Sequence, residues 1–350
     1  MIQFFKMPAR PSAHYVVPLV LSLLISACGG GSGSSTSGSS GNSGGSGSTG
    51  VSLAAGYQQA KWGANMTVTY PTSCTMTVIS NGLPNHAMSA YYLRPASGTY
   101  TTVAATTPDG LALTIQPNPN TPSPISTTYN ICPTKATTTT VTNMGSIGTM
   151  ISGAALFNAY DGTGSPAMSQ NVSVNFTDSS GTQQTAAFID PCNGHAAPQQ
   201  GGNTYHYHGI SSCITSKVDT AGGPSHLIGI ALDGFPVYGG RDMNGKVITV
   251  SQLDQCNGIT SATPEFPNGV YHYVLPEGVT NGSSSMGCYA GTVTSTQIAQ
   301  AQANGICVSR VAINTKVRNR SRLIAENSGT SVNAVNSAHV GQSAARKRNA

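Results

Sequence analysis

Along the middle of the chain the apolar positions recur every second residue. Met66-Thr-Val-Thr-Tyr70, Thr75-Met-Thr-Val-Ile79, Leu111-Ala-Leu-Thr-Ile115 and Asn171-Val-Ser-Val-Asn-Phe176 all alternate apolar with polar. That is the period of a strand with one face buried. Asn81-Gly82, Asp109-Gly110 and Asp178-Ser-Ser-Gly181 supply turn chemistry between such stretches. Only Ser295 to Asn304, STQIAQAQAN, reads as a helix, with Gly305 as its C-terminal cap. The pattern predicts a mainly β, sandwich- or barrel-like single domain with one short C-terminal helix.

The ends of the chain read differently. Lys6 and Arg10 precede a short apolar run, Val16 to Ala27, and the run closes Ile25-Ser26-Ala27-Cys28. This resembles a bacterial lipobox, in which the cysteine is lipidated and becomes the new N-terminus. Residues 1–28 are therefore expected to be a lipoprotein signal, with lipidation at Cys28. Residues 29–52 are a Gly/Ser-rich linker that gives a tethered domain reach. The foldable sequence is expected over 53–313, and 314–350 reads as a disordered basic tail. The expected setting is the bacterial cell envelope, anchored to the membrane by lipid, on the periplasmic or extracellular face.

Charge sharpens this division. The formal net charge is +5, from 16 Lys/Arg against 11 Asp/Glu. Eight of the basic residues lie at or after Arg310, and between Val51 and Ser309 six Lys/Arg face ten Asp/Glu, so the body is −4. The basic balance belongs to the tail, and the body has no nucleic-acid-binding character. Charged residues are only 8% of the chain, about a third of the globular norm.

After Cys28, seven cysteines remain. Outside the cytoplasm they are expected to form disulfides. Cys192 pairs best with Cys213, because the loop between them holds all of Tyr205–Gly209. An internal echo described next pairs Cys256 with Cys288. Cys74 with Cys132 is the remaining assignment, and Cys307 is left odd.

The echo is strong. Asp190-Pro-Cys192-Asn-Gly194 is followed by Tyr205-His-Tyr207, and Asp254-Gln-Cys256-Asn-Gly258 by Tyr271-His-Tyr273. A fainter echo relates Ile151–Asn158 to Leu232–Gly239, each a strand–turn–strand around a glycine. Repeated units of this kind imply pseudo-symmetric elements in one core.

Histidines concentrate in the same region. In Asn203-Thr-Tyr-His206-Tyr-His208-Gly209 a strand would project both imidazoles from one face. Their Cα atoms would lie about 7 Å apart. Two such rings can grip one metal ion, and His195, eleven residues before His206, is a candidate third ligand. His226, His272 and Asp233 are possible additions. The second copy has Ile259 in place of His195 and Val274 in place of His208, so the first copy looks like the derived site and the second like its scaffold. A structural role suits His206 and His272, since neutral histidine can hydrogen-bond through both nitrogens inside a core.

The chain resembles the YHYH-domain family of secreted or surface proteins, largely bacterial. The resemblance rests on Cys192-Asn-Gly-His195, Tyr205-His-Tyr-His208, Ser225-His-Leu-Ile-Gly229 with Asp233-Gly-Phe-Pro-Val-Tyr-Gly239, and Tyr271-His-Tyr273, in that order over roughly residues 60–290. It implies one site built from these histidines and names no ligand.

The leading expectation is a surface lipoprotein that binds copper or zinc through His195, His206 and His208. A competing one is a non-catalytic module for a glycan or a protein, with structural histidines. An enzymatic reading would pair Asp233 or Asp190 with a histidine as general base. No Gly-Lys-Ser phosphate loop, His-Glu-x-x-His helix or Gly-x-Ser-x-Gly elbow occurs.

Overall fold

The computed structural model describes residues 50–95, 103–118, 122–199 and 202–303. The expected signal, almost all of the expected linker, the expected tail and Cys307 lie outside them. The alternating stretches are strands. In Thr75–Ser80 the side chains of Met76, Val78 and Ser80 are buried and Ile79 faces out. This strand sits between Met66–Thr72 and Ile125–Asn130, antiparallel to both.

A second sheet runs Ser173–Thr177, Gln183–Ala187, Tyr91–Pro95, Ala112–Pro117, Val103–Thr106. It has its own small core around Leu93, Leu113, Ala186 and Phe188. Its Gln183–Ala187 and Tyr91–Pro95 strands run parallel.

The third and largest sheet carries both echoes. Its eight strands lie in the order Gly194–Gln199, Gly202–Tyr207, Ala155–Phe157, Ser146–Met150, Leu227–Ala231, Pro236–Tyr238, Val270–Val274, Gly258–Ser261. The order is a palindrome of two four-strand units. In each, a Tyr-His-Tyr strand pairs antiparallel with the strand that precedes it in the chain. On its other side it runs parallel to the second arm of a hairpin. The units join through Ser146–Met150 and Leu227–Ala231, which are antiparallel. The sheet curls into a nearly closed, barrel-like form.

Local chemistry explains the duplication. Each hairpin turn needs left-handed backbone, supplied by Gly153 (φ 97°) and Gly234 (φ 86°). A Cβ on Gly234 would stand 1.7 Å from the Asn130 carbonyl oxygen. Asn193 and Asn257 also adopt positive φ, 61° and 64°, which asparagine tolerates best among residues with a Cβ. Their carbonyls accept from His208 N (3.3 Å) and Val274 N (2.8 Å), equivalent positions in the two units.

The core is rich in tyrosine, and a buried hydroxyl needs a partner. Tyr205 donates to Asp190 Oδ2 (2.8 Å) and Tyr271 to Asp254 Oδ2 (2.9 Å). Tyr207 donates to Ser152 Oγ (2.9 Å) and Tyr273 to Asp233 Oδ2 (2.5 Å). The disulfides are Cys74–Cys132, Cys192–Cys213 and Cys256–Cys288.

The C-terminal helix spans Ser295–Ala303. Thr294 and Gln297 cap it reciprocally: Gln297 N donates to Thr294 Oγ1 (3.1 Å) and Thr294 N to Gln297 Oε1 (2.9 Å). Two short α-helices, Ala54–Tyr57 and Ser212–Val218, add to the single one expected. Both are under three turns, too short to leave a periodic signature in the sequence. Among the described residues no helix is long and apolar enough to cross a membrane.

Candidate metal centre

The strands Gly194–Gln199 and Gly202–Tyr207 form a hairpin whose register sets His195 directly opposite His206. Cross-strand partners share a face and lie close at Cβ. His208 follows His206 by two residues and returns to that same face. One cross-strand neighbour and one neighbour two residues along the chain thus bring three imidazoles together.

Their Nε2 atoms form a nearly equilateral triangle. The separations are 3.0 Å (His195–His206), 3.1 Å (His206–His208) and 3.2 Å (His208–His195). His206 and His208 are buried, and His195 is half-buried with its Nε2 turned toward them. Phe157 stacks on the His206 ring (centroids 3.8 Å apart, 19° between planes). Phe188 meets His195 edge-on at 5.0 Å.

Two tautomers are set by backbone carbonyls. His195 Nδ1 lies 2.7 Å from Phe188 O, and His208 Nδ1 lies 2.7 Å from Asn158 O. A carbonyl only accepts, so each Nδ1 carries the proton and each Nε2 is a bare lone pair. Burial, with the neighbouring His208 and Arg94 adding to it, lowers the His195 pKa to about 3. Burial also lowers His208 to about 4, against the opposing pull of the Asn158 carbonyl and Asp161. Both rings are therefore neutral at pH 7, with two lone pairs converging at 3.2 Å and no proton between them.

Three such nitrogens match a metal's needs. Separations of 3.0–3.2 Å would let all three nitrogens reach one zinc or copper ion at the usual bond length of about 2.0–2.1 Å. The backbone carbonyls on Nδ1 are the kind of outer support that orients metal-bound histidines.

The other candidates are placed elsewhere. Among the described residues this histidine cluster contains only His195, His206 and His208. His226 Nδ1 is 2.8 Å from Glu265 Oε1. His272 is buried in the second unit, its Nδ1 3.0 Å from the Val270 carbonyl and its ring beside Tyr238. Asp233 is buried, with its pKa raised to about 6 by burial, and it accepts from Tyr273 Oη and Gly291 N. None of the three belongs to the histidine cluster, and beside His272 in the second unit Ile259 and Val274 occupy the positions of His195 and His208.

Other residues of the site carry no mark in the sequence. His86 Nε2 is 2.6 Å from Tyr207 Oη, and its Nδ1 is 3.5 Å from Cys192 Sγ. A second grouping of His86, Cys192 and Cys213 follows, but both thiols are consumed in the disulfide. Beside the three histidines lies a cavity of about 470 Å³. Asp161 and Arg94, buried at 5% and 3% exposure, stand in its wall.

The profile of the YHYH protein family matches residues 127–246 and 241–291. The chain belongs to the YHYH protein family. The match takes in both units of the large sheet and all three clustered histidines, while the strands before residue 127 fall outside it. Neither a curated protein nor a solved structure matches the chain.

Proposed function

We propose that this YHYH protein binds one transition-metal ion, zinc or copper, through the Nε2 atoms of His195, His206 and His208. The observation that carries the reading is the convergence of three nitrogens within 3.2 Å, two of them fixed as lone-pair donors. Without a cation such an arrangement sets like dipoles against one another. With one it supplies three of the four ligands of an open site. Imidazole suits both zinc and copper, and neither thiolate nor carboxylate completes the set.

The fourth position faces the cavity, so the centre is of the exchangeable rather than the closed structural type. The disulfides support a location outside the cytoplasm. With lipidation of Cys28, the domain would hang from the envelope membrane on its glycine-serine linker. The test is elemental mass spectrometry after zinc or copper loading and desalting. One equivalent per chain is expected, falling to background in the double variant His206→Ala/His208→Ala. Less than a tenth of an equivalent in the unaltered protein overturns the reading.

A further inference from the structure

The cavity beside the histidines is large enough for a small organic molecule. Its walls are mainly apolar, with Leu93, Leu111, Met144, Phe157, Tyr160 and Phe188 among them. Two charged residues interrupt this lining. Arg94 brings a buried positive charge. Asp161 brings a carboxylate whose two oxygens are used differently. Oδ1 accepts from Thr163 N (2.8 Å) and Ser165 N (3.1 Å) in its own turn. Oδ2 is buried and has no hydrogen-bond partner among the described residues. A buried carboxylate oxygen left unpaired costs more than a net hydrogen bond contributes, so this oxygen is suited to a donor that arrives with a ligand.

Asp161 is not a member of the histidine cluster, whose ligand atoms all lie within 4.8 Å of one another. It lines the same cavity as the three histidines, so one ligand in that cavity can meet both a metal held there and Asp161. Such a ligand must offer a lone pair to the metal and a proton to Asp161. A hydroxyl does both. A cationic head would be repelled by both the metal and Arg94; an anionic head, though drawn to these two, would set its charge against Asp161 and bring its Oδ2 no proton.

We propose that the cavity binds a small molecule with an apolar body and a single hydroxyl group. The hydroxyl oxygen takes the open position of the metal, its proton is shared with Asp161 Oδ2, and the body lies among the Phe157, Phe188 and Tyr160 rings. This rests on the metal reading above.

The test uses the protein loaded with cobalt(II), whose visible spectrum reports its ligands. Benzyl alcohol, benzyl methyl ether and benzoate are the probes. Benzyl alcohol should shift the spectrum saturably, at least tenfold tighter than the ether, which keeps the oxygen and the ring but lacks the proton. In Asp161→Asn, which keeps an Oδ1 for the turn, that preference should vanish with cobalt content unchanged. If the variant fails to fold, the alcohol–ether comparison on the unaltered protein still decides. Equal affinity for alcohol and ether, a preference for benzoate, or no spectral change with one equivalent of cobalt bound overturns this proposal alone. Failure to take up cobalt removes the metal reading and this proposal together.

Discussion

At the scale of single residues, the two halves of the sheet repeat one tyrosine–aspartate hydrogen bond in different surroundings. Asp190 is buried, whereas the Asp254 side chain is 39% exposed. Tyr205→Phe leaves Oδ2 of the buried Asp190 with only the longer bond from Tyr92 and should cost about 1–3 kcal/mol. Tyr271→Phe, where water can replace the hydroxyl, should cost less than about 1 kcal/mol. Urea midpoints of the two variants check the difference. Proton linkage gives a second expectation. Burial holds the folded pKa values, about 3 for His195 and about 4 for His208, below the 6.5 of an unperturbed histidine. Between these limits the unfolded chain binds more protons, so metal-free stability falls as pH drops through 6.5 toward 4. Asp233, raised to about 6, has the opposite sign and offsets part of the loss. Replacing His208 by Gln should make the urea midpoint less sensitive between pH 7 and pH 4.5. An unchanged slope contradicts the burial of a neutral His208. The three histidines were legible because strand period and hairpin pairing both act over short chain distances. Asp161 and His86 were not, because their neighbours are set by tertiary contacts of segments with no motif of their own.

At the scale of elements, the proposed metal centre depends on one hairpin, 194–207, with the Cys192–Cys213 bridge spanning it. The duplicated motif already pointed to this bridge and to Cys256–Cys288, since each encloses a Tyr-His-Tyr strand. Each closes a loop of 21 or 32 residues, which the chain-entropy account values at roughly 3–4 kcal/mol. Removing either bridge with paired serines should therefore lower stability by similar amounts. Only the Cys192→Ser/Cys213→Ser variant should also weaken zinc affinity, by tenfold or more in a competitive chelator titration. Equal affinity losses from the two would mean that the hairpin is not held by its own bridge. The strands Met66–Thr72 and Thr75–Ser80 were plain in the alternation because each packs one face against the core and leaves the other more exposed. Leu227–Ala231, Pro236–Tyr238 and Val270–Val274 are buried at every position. They carry no alternation to read; the echoes marked Pro236–Tyr238 and Val270–Val274, and Leu227–Ala231 lay in neither echo.

At the scale of the whole molecule, the sheet contains two copies of one four-strand unit, and only the first has three histidines at the equivalent positions. The mainly β class followed from composition and alternation. The five-stranded sheet did not, because its parallel pair joins residues about ninety apart in the chain, and no local pattern encodes that contact. From two similar units with unequal site residues, the account predicts one metal per chain rather than two. X-ray absorption at the zinc edge, on protein loaded to saturation and desalted, tests this most directly. The predicted result is one equivalent of zinc with about three imidazole nitrogens near 2.0 Å and a lighter fourth ligand. A sulfur shell near 2.3 Å, or two bound ions per chain, contradicts it.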